Sequence, residues 1–337
     1  MQHGLLLPLI LVVLVALIFD YINGFHDTAN AIATVVSTGV LPIRTAVLLS
    51  ATLNFGGALL GTAVAGTIGK GLLHPSAVTQ VVVLSALLGA TTWNLITWYF
   101  GIPSSSSHAL VGGLVGSGIA RAHLAAVQSE GLIKIVKSLI VSPLVGFVIA
   151  FIMMIAILWI GRRGRPAQMN RIFRKLQMLS AGFMALSHGS NDAQKTMGII
   201  TMSLVAYGAI PGGHEKFAVP LWVVLACATA MAAGTAAGGV RIIKTMGTKI
   251  IDLKPIHGFA AETSAAATIL TASFLGMPVS TTHVITGCIM GAGASQRVSA
   301  VRWGVTTRIF WAWILTIPVS AGVSWLCYQA LHVALGE

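Results

Sequence analysis

The 337-residue chain is 56% hydrophobic and only 8% charged, too apolar for a soluble protein of that length, which would carry charge on the outer face of most helices. Its formal charge of +12 does not point to a nucleic-acid partner, because the basic residues cluster between apolar segments, where they orient helices in a bilayer. Cys227, Cys288 and Cys327 lie in apolar runs without paired or metal-type spacing; they read as small core residues, and neither a cofactor nor a resident metal is expected.

In chain order, the first apolar stretch, 4–38, lacks a preceding basic region and a small-residue cleavage site, so it is expected to be retained and not removed as a signal peptide. It carries Asp20 and Asp27. Residues 45–67 are uncharged and long enough to span a bilayer. A hairpin of two apolar helices follows over 77–120, broken near Gly101-Ile-Pro, and then an uncharged span, 138–160. After the basic segment 161–177, with Arg162, Arg163, Arg165, Arg171, Arg174 and Lys175, the order recurs. A stretch 178–207 surrounds Asp192, 218–240 is an uncharged span, 258–295 is a hairpin carrying Glu262, and 309–331 is a last uncharged span.

The recurrence is visible residue by residue. Gly101-Ile-Pro-Ser-Ser-Ser-Ser-His108 returns as Gly276-Met-Pro-Val-Ser-Thr-Thr-His283, and Gly112, Gly116 and Gly118 return as Gly287, Gly291 and Gly293. Seven of eighteen aligned positions are identical. A weaker match lays Asn23-Gly-Phe-His-Asp27-Thr-Ala-Asn30 over His188-Gly-Ser-Asn-Asp192-Ala-Gln-Lys195; the two offsets are 175 and 165 residues. The expected organisation is therefore a first transmembrane repeat, 1–160, a basic cytoplasmic loop, 161–177, and a second repeat, 178–337. Each repeat is read as a helix interrupted at its Asp motif, a plain span, a hairpin and another plain span. Three net crossings per repeat would invert the second relative to the first. With the central basic segment in the cytoplasm, fourteen Lys and Arg residues fall on that side, against Lys70, Arg121, Lys134, Lys137 and Lys216 outside, as the positive-inside rule requires. Both termini are then external, and the fold class is an all-α polytopic membrane protein of two inverted-topology repeats with broken helices and helical hairpins.

Four acids, Asp20, Asp27, Asp192 and Glu262, interrupt apolar segments. An ionised group at mid-bilayer costs about 2.5–3.5 kcal/mol on insertion scales, so function is the default explanation for it. Asp27 and Asp192 occupy equivalent places in the two repeats. In the hairpins, helices starting near Pro103 and Pro278 would offer free backbone N–H groups, with hydroxyls from Ser105, Ser106, Ser107, Ser280, Thr281 and Thr282 beside them, an oxyanion cradle in duplicate. Inverted repeats bring two such helix N-termini to one midplane site, where carboxylates hold cations. His26 and His188 lie inside the Asp motifs and titrate near neutral pH. His108 and His283 follow the hydroxyls and are read as structural. The glycines read as permitting close helix packing.

At these residues the chain resembles the PiT family of inorganic phosphate transporters. The Asp motif is Gly24-Phe-His-Asp27-Thr-Ala-Asn30-Ala31, with a second copy Gly189-Ser-Asn-Asp192-Ala-Gln-Lys195; Pro-Val-Ser-Thr-Thr-His stands intact at 278–283 and as a variant at 103–108. The resemblance implies a symporter of inorganic phosphate, free or as a divalent-metal complex, in the cytoplasmic membrane. It implies substrate contacts from Asp27, Asn30, Asn191, Asp192 and the six hydroxyl residues, and coupling through His26, Asp27, Asp192, Lys195 and Glu262. The sodium-coupled branch usually has Asn at the positions of His26 and Lys195, so a proton is favoured over sodium. Homo-oligomerisation is left open.

Three other readings compete. A serine hydrolase using Ser107 and His108 is disfavoured because helix neighbours point about 100° apart. A passive channel fits paired acids in two inverted halves poorly. A sulfate carrier is disfavoured because sulfate lacks the protonated oxygen that lets phosphate donate to a carboxylate.

Overall fold

The computed structural model describes residues 6–211 and 217–335; the external placement expected of Lys216 and of both chain ends falls outside them. Apolar runs in a bilayer must satisfy their backbone groups internally, which selects helices. Among the described residues there are twelve α-helices and no strand beyond an isolated bridge between Leu73 and Val127. They are α1 (Leu6–Ser37), α2 (Ile43–Ala58), α3 (Ala63–Gly71), α4 (Gln80–Phe100), α5 (Ser106–Ala122), α6 (Ser129–Gly161), α7 (Pro166–Tyr207), α8 (Leu221–Ala237), α9 (Val240–Thr248), α10 (Pro255–Phe274), α11 (Thr281–Ala294) and α12 (Trp303–Leu335). Five are long and apolar enough to cross a membrane, or up to seven if each of two bent pairs forms one span. The protein is a multi-pass membrane protein.

The breaks fall elsewhere than expected. α1 and α7 run unbroken through their Asp motifs, because hydroxyls from the hairpins, not opened backbone, meet the carboxylates. The plain spans are the bent ones: α2 and α3 meet at 70°, α8 and α9 at 75°, the latter across Gly238, whose φ of +74° suits glycine. Residues 166–177, read as loop, form the first turns of α7. With 42 residues, α7 is about 63 Å long, twice the hydrocarbon thickness, so its Arg-rich start projects beyond the bilayer.

The halves pack by exchange. α2 and α3 lie along α7 while α8 and α9 lie along α1; the last helix of each half leaves its own hairpin for the other, α6 on α11 and α12 on α5. The glycines make this possible. A Cβ on Gly24 would strike the Met231 carbonyl of α8, and one on its counterpart Gly189 would strike Asn54 of α2. Gly112 and Gly116 meet α12, as Gly287 and Gly291 meet α6. α6 has the highest mean hydropathy of the spans, 2.8, with only 17% of that window buried. It faces lipid, leaving α1, α7 and the hairpins as the interior.

Candidate functional site

The site begins at the two hairpin breaks. α4 ends on Gly101 and α10 is followed by Gly276, both at φ +65°, a left-handed turn that only glycine adopts without strain. Four non-helical residues follow each, and the next helices start at Ser106 and Thr281, not at the prolines. Ser105 and Ser280 are the reason: each is an N-cap, its Oγ accepting the backbone N–H of His108 or His283 at 3.2 Å. The Pro103 carbonyl accepts Trp313 Nε1 at 3.2 Å from α12, and the Pro278 carbonyl accepts Ser138 Oγ at 3.0 Å from α6. Each break is thus pinned by the exchanged span of the opposite half.

Onto these tips α1 and α7 deliver the acids. Asp27 Oδ2 accepts Ser106 Oγ at 2.8 Å, and its Oδ1 lies 2.6 Å from His26 Nδ1. The far nitrogen of His26 meets Thr97 Oγ1 at 3.0 Å. Asn30 Nδ2 donates to Thr282 Oγ1 at 2.9 Å and to Thr281 Oγ1 at 3.2 Å, and Thr282 reaches Asp27 Oδ1 at 3.5 Å. First-half acid and second-half tip therefore interlock.

The second acid mirrors the first. Asp192 Oδ2 accepts Thr281 Oγ1 at 2.9 Å and lies 3.1 Å from His188 Nε2. Its Oδ1 takes the ammonium of Lys195, one helical turn on, which also donates to the Val279 carbonyl at 2.9 Å. His188 Nδ1 is in turn 3.2 Å from Asn54 Oδ1. Ligand atoms of Asp27, His188 and Asp192 lie within 4.8 Å of one another, although the acids are 165 residues apart. All of these side chains are buried.

Not every expected residue faces this centre. Asn191 is spent on the second break, donating to Ser273 Oγ at 3.0 Å and accepting the Val279 N–H at 3.3 Å. Ser107 Oγ donates to the Val279 carbonyl at 3.2 Å. Glu262 is held in a separate buried cluster, accepting Thr34 Oγ1 at 2.5 Å, Gln177 Nε2 at 3.0 Å and Ser180 Oγ. Thr34 and Asp20 each lie seven residues from Asp27 on α1, about 10.5 Å along the axis. The His108 and His283 rings meet at 4.4 Å, tilted by 35°, and His283 stacks on Trp313 at 3.8 Å. Thr97 and Asn54, which back the two site histidines, were not singled out. A lone Asn in an otherwise uncharged span was the available signal for Asn54.

With both acids ionised, Asp27, Asp192 and Lys195 sum to one net negative charge, and charges in a low-dielectric interior interact strongly.

The profile of the phosphate transporter family matches residues 23–168 and 162–324. The chain is 50% identical over 332 residues to a probable low-affinity inorganic phosphate transporter of Rhizobium meliloti, covering 98% of each chain. It is 48% identical over 331 residues to the protein of the same description in Bacillus subtilis, again with 98% of both covered. A solved structure described as the sodium-dependent phosphate transporter superposes with a TM-score of 0.87 at 26% identity, covering 97% of this chain and 99% of that one. Family profile, relatives along the full length and a shared all-helical architecture meet in one conclusion: the chain belongs to the phosphate transporter family.

Proposed function

We propose that the protein is a proton-coupled symporter of inorganic phosphate in the cytoplasmic membrane, with phosphate held between the two hairpin tips and Lys195 serving as a tethered cation. The observation that carries this reading is the Lys195 ammonium on Asp192 and on the Val279 carbonyl, where a free cation would otherwise be drawn. Backbone N–H groups at the starts of α5 and α11 offer the anion site, and the hydroxyls of Ser106 and Thr281 hold the carboxylates against it. A proton on Asp27, relayed by the His26 ring 2.6 Å away, removes the remaining negative charge. The protonated oxygen of monohydrogen phosphate can donate to a carboxylate, which sulfate cannot do.

Uptake of radiolabelled phosphate into proteoliposomes under separately imposed pH and sodium gradients tests this. Uptake driven by the pH gradient without sodium is expected; uptake that follows sodium alone overturns it. A second reading, transport of a divalent-metal phosphate, is favoured by the donors of Asp27, His188 and Asp192 within 4.8 Å. It predicts metal and phosphate entering together in the same vesicles.

The exchanged packing supports an inverted arrangement of the repeats with the central basic segment in the cytoplasm. Single cysteines at Lys70, and at Arg165 and Lys249, should react with an impermeant external reagent at the first position only. Reaction at all three from one side of intact cells contradicts inversion.

A further inference from the structure

Away from the transport site, at the open end of the α10–α11 hairpin, a pocket of about 340 Å³ is lined by Lys254, His257, Gln296, Arg297, Arg302 and Asp252, among others. It lies on the face that the charge distribution assigns to the cytoplasm. Its walls come from the linker before α10, the first turn of α10, the end of α11 and the turn before α12. Three cations against one carboxylate leave it with two positive charges. None of the three enters an ion pair among the described residues, where the ion pairs all involve Asp27 or Asp192.

His257 separates a ligand site from a merely basic membrane edge. Its Nδ1 accepts the Lys254 N–H at 3.2 Å, so the neutral ring carries its proton on Nε2. No acceptor lies within hydrogen-bond distance of that nitrogen, on a residue only 4% exposed, the Gln296 side chain and the Asp252 backbone being its nearest polar neighbours, and the ring lines the pocket. A buried donor without an acceptor is costly, and an anion in the pocket supplies the acceptor. The fold itself does not require these groups: at the offset of 175 residues, Lys254, His257, Arg297 and Arg302 correspond to Thr79, Val82, Ala122 and Val127.

We infer that this pocket is a second, non-transporting anion site for inorganic phosphate or a small soluble phosphomonoester. The two net positive charges match a dianion, as a phosphomonoester is near neutral pH, better than the single charge of a phosphodiester lipid headgroup. The site is coupled to transport by construction. α11 carries the hydroxyl tip at Thr281 and ends at Ala294 beside the pocket, about 20 Å away. An anion bridging Lys254, Arg297 and Arg302 ties the base of the hairpin to the linkers on either side and holds α11 in place. Phosphate accumulating on this face would then slow its own import.

The inference rests on the proposed function only for the identity of the transported ion, and binding separates the two. The full chain in phosphatidylcholine nanodiscs is titrated with radiolabelled phosphate. Two sites per chain are expected in the wild type. Lys254→Gln/Arg297→Gln, both at exposed positions, should lose one of them or weaken it at least about tenfold, while Asp192→Asn loses the other. His257→Phe should weaken the same site as the double substitution. Unlabelled glycerol 3-phosphate should displace label from the wild type but not from the double variant. Loss of a site in the double variant with none lost in Asp192→Asn would sustain the pocket and refute the transport site. Equal stoichiometry in the double variant and the wild type overturns the pocket. Disappearance of its site when phosphatidylglycerol is added assigns it to a lipid headgroup and overturns the soluble ligand.

Discussion

The two acid sites are built from aligned positions and differ in what fills them. On α1 the residues are Asn23, His26, Asp27 and Asn30; on α7 they are His188, Asn191, Asp192 and Lys195. Each carboxylate accepts one hairpin hydroxyl, Ser106 or Thr281, and stands beside one histidine. The histidine comes from the adjacent residue in one half and from four residues back in the other, and the aligned position holds Asn each time. Only Lys195 breaks the correspondence in charge. Asp192 has the Lys195 ammonium beside it, whereas Asp27 has amide, hydroxyl and imidazole neighbours. The two hairpin tips are thus alike in their hydroxyls, and the second half alone holds a lysine against its carboxylate.

Removing either carboxylate should give the largest effect. Asp27→Asn is expected to bring coupled phosphate uptake to background, because the proposed proton acceptor is gone. Asp192→Asn should do the same by leaving the Lys195 ammonium buried without its partner, a loss of about 3–5 kcal/mol in comparable pairs. Membrane insertion should persist in both, since each change removes an ionisable group. Normal uptake kinetics in either variant would move the site elsewhere.

A smaller effect is expected at the hydroxyls. Ser106→Ala and Thr281→Ala each remove a hydrogen bond to a charged acceptor, worth about 1.5–3 kcal/mol, so the KM for phosphate should rise about tenfold or more. If the halves are equivalent at the tips, the two variants should match within a few-fold. An effect confined to one would show that phosphate rests on that tip alone.

The smallest effects concern the frame. Gly24→Ala and Gly189→Ala push a Cβ into a neighbouring helix backbone and should each cost about 1–3 kcal/mol, read as lower thermal stability in detergent. Gly56→Ala, where the space is open, should be neutral or slightly stabilising. Equal losses at all three would mean that the glycines do not mediate the exchanged crossings.

The sequence made much of this legible. The duplicated Gly-x-Pro and hydroxyl runs mark both hairpin tips, because those signals are local. What escaped depended on tertiary partners. The helices expected to break at the Asp motifs run on: Gly24 and Gly189 serve close approach to α8 and α2, and hairpin hydroxyls meet the acids without unwinding. Glu262 was grouped with the coupling residues because an intramembrane acid has no local mark of its place. Only the fold shows it with Thr34, Gln177 and Ser180, in a cluster apart from the acid pair. The exchange of α6 and α12 between the hairpins is likewise a property of the assembled halves, invisible in two apolar spans of similar composition.

The central claim, that Lys195 stands where a mobile cation would bind, is tested most directly by phosphate uptake in Lys195→Asn at fixed pH with and without sodium. This substitution makes the second half match Asn30 of the first. The account predicts that proton-driven uptake is lost and that a sodium-dependent component appears. Unchanged proton-driven transport in the variant would contradict it.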